Sequence, residues 1–187
     1  MITRFRRLHR GTIALAGLLV VGCTSTPTVH SNTDPTANLS SYKTYGFVPQ
    51  PGTNRGGYST PLTTNFEMAI SRELDARGYR KVDTDPDLLV NFNANSKENV
   101  DLRSTYTPGP YYYGYRGGMY GGVNDVQTVR YKVGTANIDI VDANKKRLVW
   151  EGVAEGELTQ DMMKNPQAAV DMVVAQMFMQ FAGKAAL

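Results

Sequence analysis

Residues 136–154 read Ala136-Asn137-Ile138-Asp139-Ile140-Val141-Asp142-Ala143-Asn144-Lys145-Lys146-Arg147-Leu148-Val149-Trp150-Glu151-Gly152-Val153-Ala154, and they contain two apolar alternations separated by a polar turn. Ala136, Ile138 and Ile140 recur at every second position in the first half; Leu148, Trp150, Gly152 and Ala154 do so in the second. A period of two puts alternate side chains on one face of a strand, so an antiparallel hairpin is expected over residues 126–141 and 147–158, turning at 142–146. Trp150, the only tryptophan, is expected to anchor the core with its indole N–H bonded locally. Gly152 and Gly156 are expected to let a helix approach the sheet closely.

A sheet with one apolar face needs a cover, and the residues after the hairpin supply one. Asn165-Pro166 is a cap followed by a first-turn proline, and Ala169, Val170, Val173, Met177, Phe178 and Phe181 recur at helical spacing. Gln167, Asp171, Gln176 and Lys184 are expected to face water. Five large side chains at ~1.5–3 kcal/mol each give on the order of 10 kcal/mol of gross burial, which makes docking of this helix a condition of folding. Met172, Met177 and Met179 are read as core filler rather than as a promiscuous groove.

Upstream, Thr60-Pro61 opens a second helix with Leu62, Phe66, Ala69, Ile70 and Leu74 on one face, stopped by Gly78. Asp85-Pro86-Asp87 turns into a strand over 88–94, where Leu88, Val90, Phe92 and Ala94 alternate with Leu89, Asn91 and Asn93. The row Asn91, Asn93 and Asn95 is open to two readings, a solvated sheet face or a ligand ladder. Earlier strands are expected from Val29 and over 43–48. The fold class is therefore α+β: a single domain, an antiparallel or mixed β-sheet with two helices packed on one face, in the order β-β-α-β-(long Tyr/Gly loop)-β-β-α.

That loop is expected at about 104–125. Tyr111, Tyr112, Tyr113, Tyr115 and Tyr120 lie there among glycines and prolines, a composition poor in regular core elements. Tyrosines offer flat, amphipathic surface at low entropic cost, so these five, with Asn91 and Asn93, are the candidate partner-binding residues. A low-complexity extension without a specific ligand is the competing reading. The glycines lack the strand-to-helix setting and Lys-Ser/Thr terminus of a phosphate cradle.

At the amino terminus, Arg4, Arg6, Arg7 and Arg10 precede about eleven mostly apolar residues, 11–21, long enough for an export signal and short of the ~20 that span a bilayer. Val20-Val21-Gly22-Cys23 resembles the lipobox of bacterial lipoproteins, in which the cysteine is lipidated and becomes the first residue of the mature chain. The resemblance implies a signal peptide over 1–22, a lipidated amino terminus and short tether over 23–28, and a globular domain over 29–187. Three acyl chains, palmitate among them, at ~0.8 kcal/mol per buried methylene, would anchor Cys23 stably. Thr24, where aspartate resembles an inner-membrane retention signal, points to the outer membrane facing the periplasm.

The formal charge of +3 is carried by the signal. Without its four arginines, sixteen basic face seventeen acidic residues, and the case for nucleic acid as partner disappears. With Cys23 the only cysteine, no disulfide can form within the chain. The two histidines, His9 and His30, fall in the signal and beside the tether, so Ser-His-Asp, Cys-His and multi-histidine metal sites are not expected, nor any cofactor. Glu151, Glu155, Glu157 and Asp161 leave a paired-carboxylate hydrolase as the alternative.

Tyr42-Lys43-Thr44-Tyr45, Arg77-Gly78-Tyr79, Asp85-Pro86-Asp87-Leu88-Leu89-Val90, the Tyr/Gly-rich insertion and Leu148-Val149-Trp150-Glu151-Gly152, in this order, resemble the domain-of-unknown-function 4136 family of bacterial lipoproteins over about 29–181. The chain has Ala182 where the family often has a proline. The resemblance implies a small mixed sheet with both helices on one face and carries no activity. The expected function is that of a membrane-anchored, non-enzymatic binding or structural module of the cell envelope, with another envelope protein or a cell-wall glycan as partner.

Overall fold

The computed structural model describes residues 26–107 and 123–183. Six strands, β1 (Thr28–Thr33), β2 (Thr44–Phe47), β3 (Arg80–Lys81), β4 (Leu88–Thr107), β5 (Val123–Asp142) and β6 (Arg147–Glu157), form one sheet in the order β1-β6-β5-β4-β2-β3. β2 runs parallel to β3 and β4, whereas the other pairs are antiparallel, so the sheet is mixed. Helix α1 (Pro61–Ala76) is the crossover from β2, and α2 (Gln160–Lys164) and α3 (Pro166–Phe178) follow β6.

Local chemistry sets the helix ends where the sequence puts them. Thr60 Oγ1 accepts from Thr63 N at 3.1 Å, and Gly78 stops α1 at a φ of +79°. Asn165 Oδ1 accepts from Ala168 N at 3.3 Å, one residue before Pro166 opens α3. The Asp85-Pro86-Asp87 turn does more than reverse the chain: Asp87 Oδ2 accepts from the backbone N–H of Lys43 and Thr44, at 2.8 and 2.9 Å, and so joins β2 to β4. These bonds hold the Asp87 carboxyl below its usual range.

Phe66, Ala69, Ile70 and Leu74 from α1 and Val170, Val174, Met177 and Phe178 from α3 meet Val90, Phe92, Ile138, Ile140 and Trp150 in one buried cluster. Both long helices thus cover one face of the sheet. Arg77 ties their ends together: it pairs with Glu73 at 2.6 Å, donates to Phe178 O at 2.9 Å, and lies over the Phe178 ring.

Several expectations need correction. β4 continues to Thr107 and β5 begins at Val123, paired throughout, so residues 104–107 and 123–125 are strand rather than loop; the apolar positions Val100, Leu102 and Val126 of this outer half are exposed. The bulge between Ile140 and Val141 turns Leu148 outward and buries Val149 in its place. Trp150 is fully buried, but its Nε1 has no acceptor among the described residues. Gly152 makes room for the Trp150 ring and Gly156 for Pro27, rather than for a helix. Gln176 is half-buried, with an unpartnered Oε1. Helix α2 and the two-residue β3 are additional elements, too short for periodicity to reveal.

Candidate functional site

The face of the sheet opposite the helices is assembled from the odd-numbered positions of β4 and β5. Asn91 pairs with Asp139 and Asp139 with Glu151, which places three polar side chains in one cross-strand row. Asn93 pairs with Asn137, and Asn95 with Thr135, in the next two rows. Glu151 is itself paired with Asn32 of β1. No helix covers these rows among the described residues.

The first row lines a shallow, open depression of about 580 Å³. Val48, Val141 and Leu148 form its apolar part, and Gln50, Asn91, Asp139 and Glu151 its polar part. Burial raises the pKa of the half-buried Asp139 carboxyl above the ordinary carboxylate value, although the neighbouring Asn137 and Asn91 amides favour its charged form. The segment after β2 closes one side, because Gly52 N donates to Phe92 O at 2.9 Å and a Cβ at 52 would meet the Asn93 side chain at 2.9 Å. Chemically, the depression presents amides, carboxylates and short aliphatic surface together, a lining suited to ligands with hydroxyl or amide groups on a partly apolar frame.

A strongly lowered carboxyl lies elsewhere. Asp142 is buried at the hairpin turn, where it accepts from the N–H of Lys145 and Asn144 at 2.9 and 3.1 Å and from the Tyr42 hydroxyl at 2.8 Å. These bonds bring its pKa down to about 2. Burial, with the bond to Asp142, pushes the Tyr42 hydroxyl up to about 12. Beside the turn's own N–H groups it holds Tyr42, 100 residues earlier, and so clamps the hairpin turn to the segment before β2.

Of the residues singled out in the sequence, Asn91 and Asn93 lie on this open face, and Asn91 stands opposite Asp139 across the strands. Cys23 and Tyr111, Tyr112, Tyr113, Tyr115 and Tyr120 lie outside the described residues. The four carboxylates Glu151, Glu155, Glu157 and Asp161 do not converge. Glu151 joins the depression, Glu155 sits in register with Thr135 four residues further along β6, Glu157 pairs with Val133 at the end of β6, and Asp161 is in the first turn of α2. The residue that accompanies Glu151 is Asp139, missed in the sequence although its position between Ile138 and Ile140 marks it as outward-facing. Among the described residues no three His, Cys, Asp or Glu side chains form a metal-binding group, and no helix is long and apolar enough to cross a membrane.

A family model described as Domain of unknown function (DUF4136) matches residues 29–181. No curated protein matches the chain. Among solved structures, a PDZ domain protein from Parabacteroides distasonis is similar at a TM-score of 0.55 and 18% identity, covering 87% of this chain. The chain spans only 38% of that protein's length. A DUF4136 family protein from Bacteroides thetaiotaomicron is similar at a TM-score of 0.51 and 15% identity, with 83% of this chain and 95% of that one covered. At these identities the likeness is one of fold.

Proposed function

Because this chain belongs to the DUF4136 family over residues 29–181, a family whose name assigns no activity, we propose from its own surface that it is a lipid-anchored binding module of the cell envelope. In this reading Cys23 carries the lipid, the domain faces the periplasm from the outer membrane, and no reaction is catalysed. The observation that carries it is the uncovered sheet face, with Asn91, Asp139 and Glu151 in one row around an aliphatic patch. Planar amides and carboxylates bind hydroxyl groups in pairs, and Val141 and Leu148 meet the C–H face of a pyranose. A cell-wall glycan fits this chemistry best.

Sedimentation of the mature lipoprotein with purified peptidoglycan sacculi tests the proposal. The wild type is expected to co-sediment, and a variant carrying Asn93→Lys with Glu151→Lys is expected to stay in solution while keeping its fold by circular dichroism. Equal sedimentation of both would reject the face as the glycan site. A second reading draws on the desolvated Asp139 beside Glu151, the arrangement a carboxylate-pair hydrolase needs. Release of wall fragments by the wild type, abolished in Glu151→Gln and Asp139→Asn, would put that reading in place of the first.

A further inference from the structure

β6 ends at Glu157, paired with Val133, but β4 and β5 stay paired for ten further residues, from Lys97 opposite Val133 to Thr107 opposite Val123. At ~3.4 Å per residue this two-stranded arm projects ~34 Å beyond the rest of the sheet. A two-stranded ribbon alone in water is marginally stable. Val100, Leu102 and Val126 are 57%, 72% and 59% exposed. All three share the parity of Phe92 and Ile138, so they continue the helix-side face of the sheet past the point where helices cover it.

The anchor enters the domain at the base of this arm. Thr28 pairs with Glu155, three positions from Leu158, whose N–H donates to Lys132 O in the arm's first residues. If Cys23 is lipidated, as the proposed function holds, Thr28 follows it by five steps of chain, a reach of at most ~18 Å. Standing the arm upright on the bilayer would require ~40 Å between Thr28 and the membrane, and standing the domain on its opposite end would require ~27 Å, at the same rise per residue. Neither fits the tether. The long axis of the sheet therefore lies along the membrane surface.

The side turned to the lipid follows from the exposed apolar groups. Met163 in α2 and Met179 at the end of α3 are 48% and 76% exposed on the helix layer, the same side as Val100, Leu102 and Val126. On the open face of the strands, Leu148 is the exposed large hydrophobic among the described residues. Arg130, 3.9 Å from Glu98, and Lys132 share the helix side of the arm, where their stems can lie over apolar surface and their heads reach phosphate. We propose that the β4–β5 arm rests on the bilayer that holds Cys23, with Val100, Leu102 and Val126 in its interfacial layer. This posture turns the face bearing Asn91, Asp139 and Glu151 away from the lipid.

Acylation of Cys23 leaves no other thiol, so a single cysteine can carry a probe. Leu102→Cys, Val126→Cys and, on the opposite face of the arm, Asn99→Cys are labelled with an environment-sensitive nitrobenzoxadiazole fluorophore. The processed lipoprotein is placed in phosphatidylethanolamine/phosphatidylglycerol vesicles containing a phospholipid spin-labelled near the headgroup. Probes at 102 and 126, buried at interfacial depth, are expected to be quenched at least about twofold more than the probe at 99. Vesicle-bound protein with equal quenching at 99 and 102, or with none at 102, overturns the proposal and leaves the anchor intact. Protein that does not float with vesicles and lacks acyl mass on Cys23 overturns the anchor, and the arm proposal with it.

Discussion

Gly152 lies directly against the indole of Trp150, two residues before it on the same strand: a Cβ at position 152 would run into Trp150 Cη2. The ring has nowhere to go, because Phe178 and Phe181 pack on it at centroid distances of 5.4 and 5.2 Å. Gly152→Ala is therefore expected to destabilise the domain by ~1–3 kcal/mol through overpacking. Trp150→Ala, which empties the same space, is expected to cost ~3–5 kcal/mol. Urea unfolding followed by circular dichroism measures both, and a water-exposed tryptophan emission from the folded wild type would contradict the packing.

Asp142 is held by four donors at the hairpin turn, the Nζ of Lys145 at 3.2 Å among them. Asp142→Ala leaves the Tyr42 hydroxyl and two backbone N–H groups without this partner and is expected to cost roughly 2–3 kcal/mol. With its pKa lowered to about 2 from 3.8, the carboxylate contributes stability that is present above pH 3.8 and lost as pH falls toward 2. The difference between wild type and variant should shrink over that window in urea titrations, and a constant difference would show that the ionised form is not what holds the turn.

Asp139 gives the opposite sign. Its folded pKa is raised by desolvation, so its contribution is most favourable below the unfolded value and declines as pH rises through the folded one. Asp139→Asn is thus expected to gain stability relative to wild type between acidic and neutral pH. Denaturation midpoints at pH 3.5 and 7 report it, and a variant that loses ground at neutral pH would mean that the carboxylate is satisfied where it sits.

Cys23→Ser is expected to abolish labelling by a palmitate analogue and to leave the precursor uncleaved, with the domain still folded. Labelling that persists in this variant would remove the anchor from the account.

Much of the architecture is encoded locally. Period-two alternation in residues 136–154 marks the hairpin, Thr60-Pro61 and Asn165-Pro166 mark helix starts, and Gly78 a helix end, because each is a relation between side chains and backbone a few residues apart. The apolar segment before Cys23 likewise needs only its own composition to be read. The hydrogen bond and ring contact from Arg77 to Phe178 join helix ends 101 residues apart and left no sign in either segment.

The candidate site belongs to that second kind. Asn91, Asp139 and Glu151 become neighbours only through the register of three strands, and register across 48 residues of chain is set by the whole core rather than by any local pattern. The bulge at Ile140/Val141 decides that Leu148 points into the depression and Val149 into the core, reversing the face a strict alternation assigns. The length of the β4–β5 arm was hidden for a related reason. Burial on one face is what writes a period into a strand, and Val100, Leu102 and Val126 beyond Lys97 stay exposed.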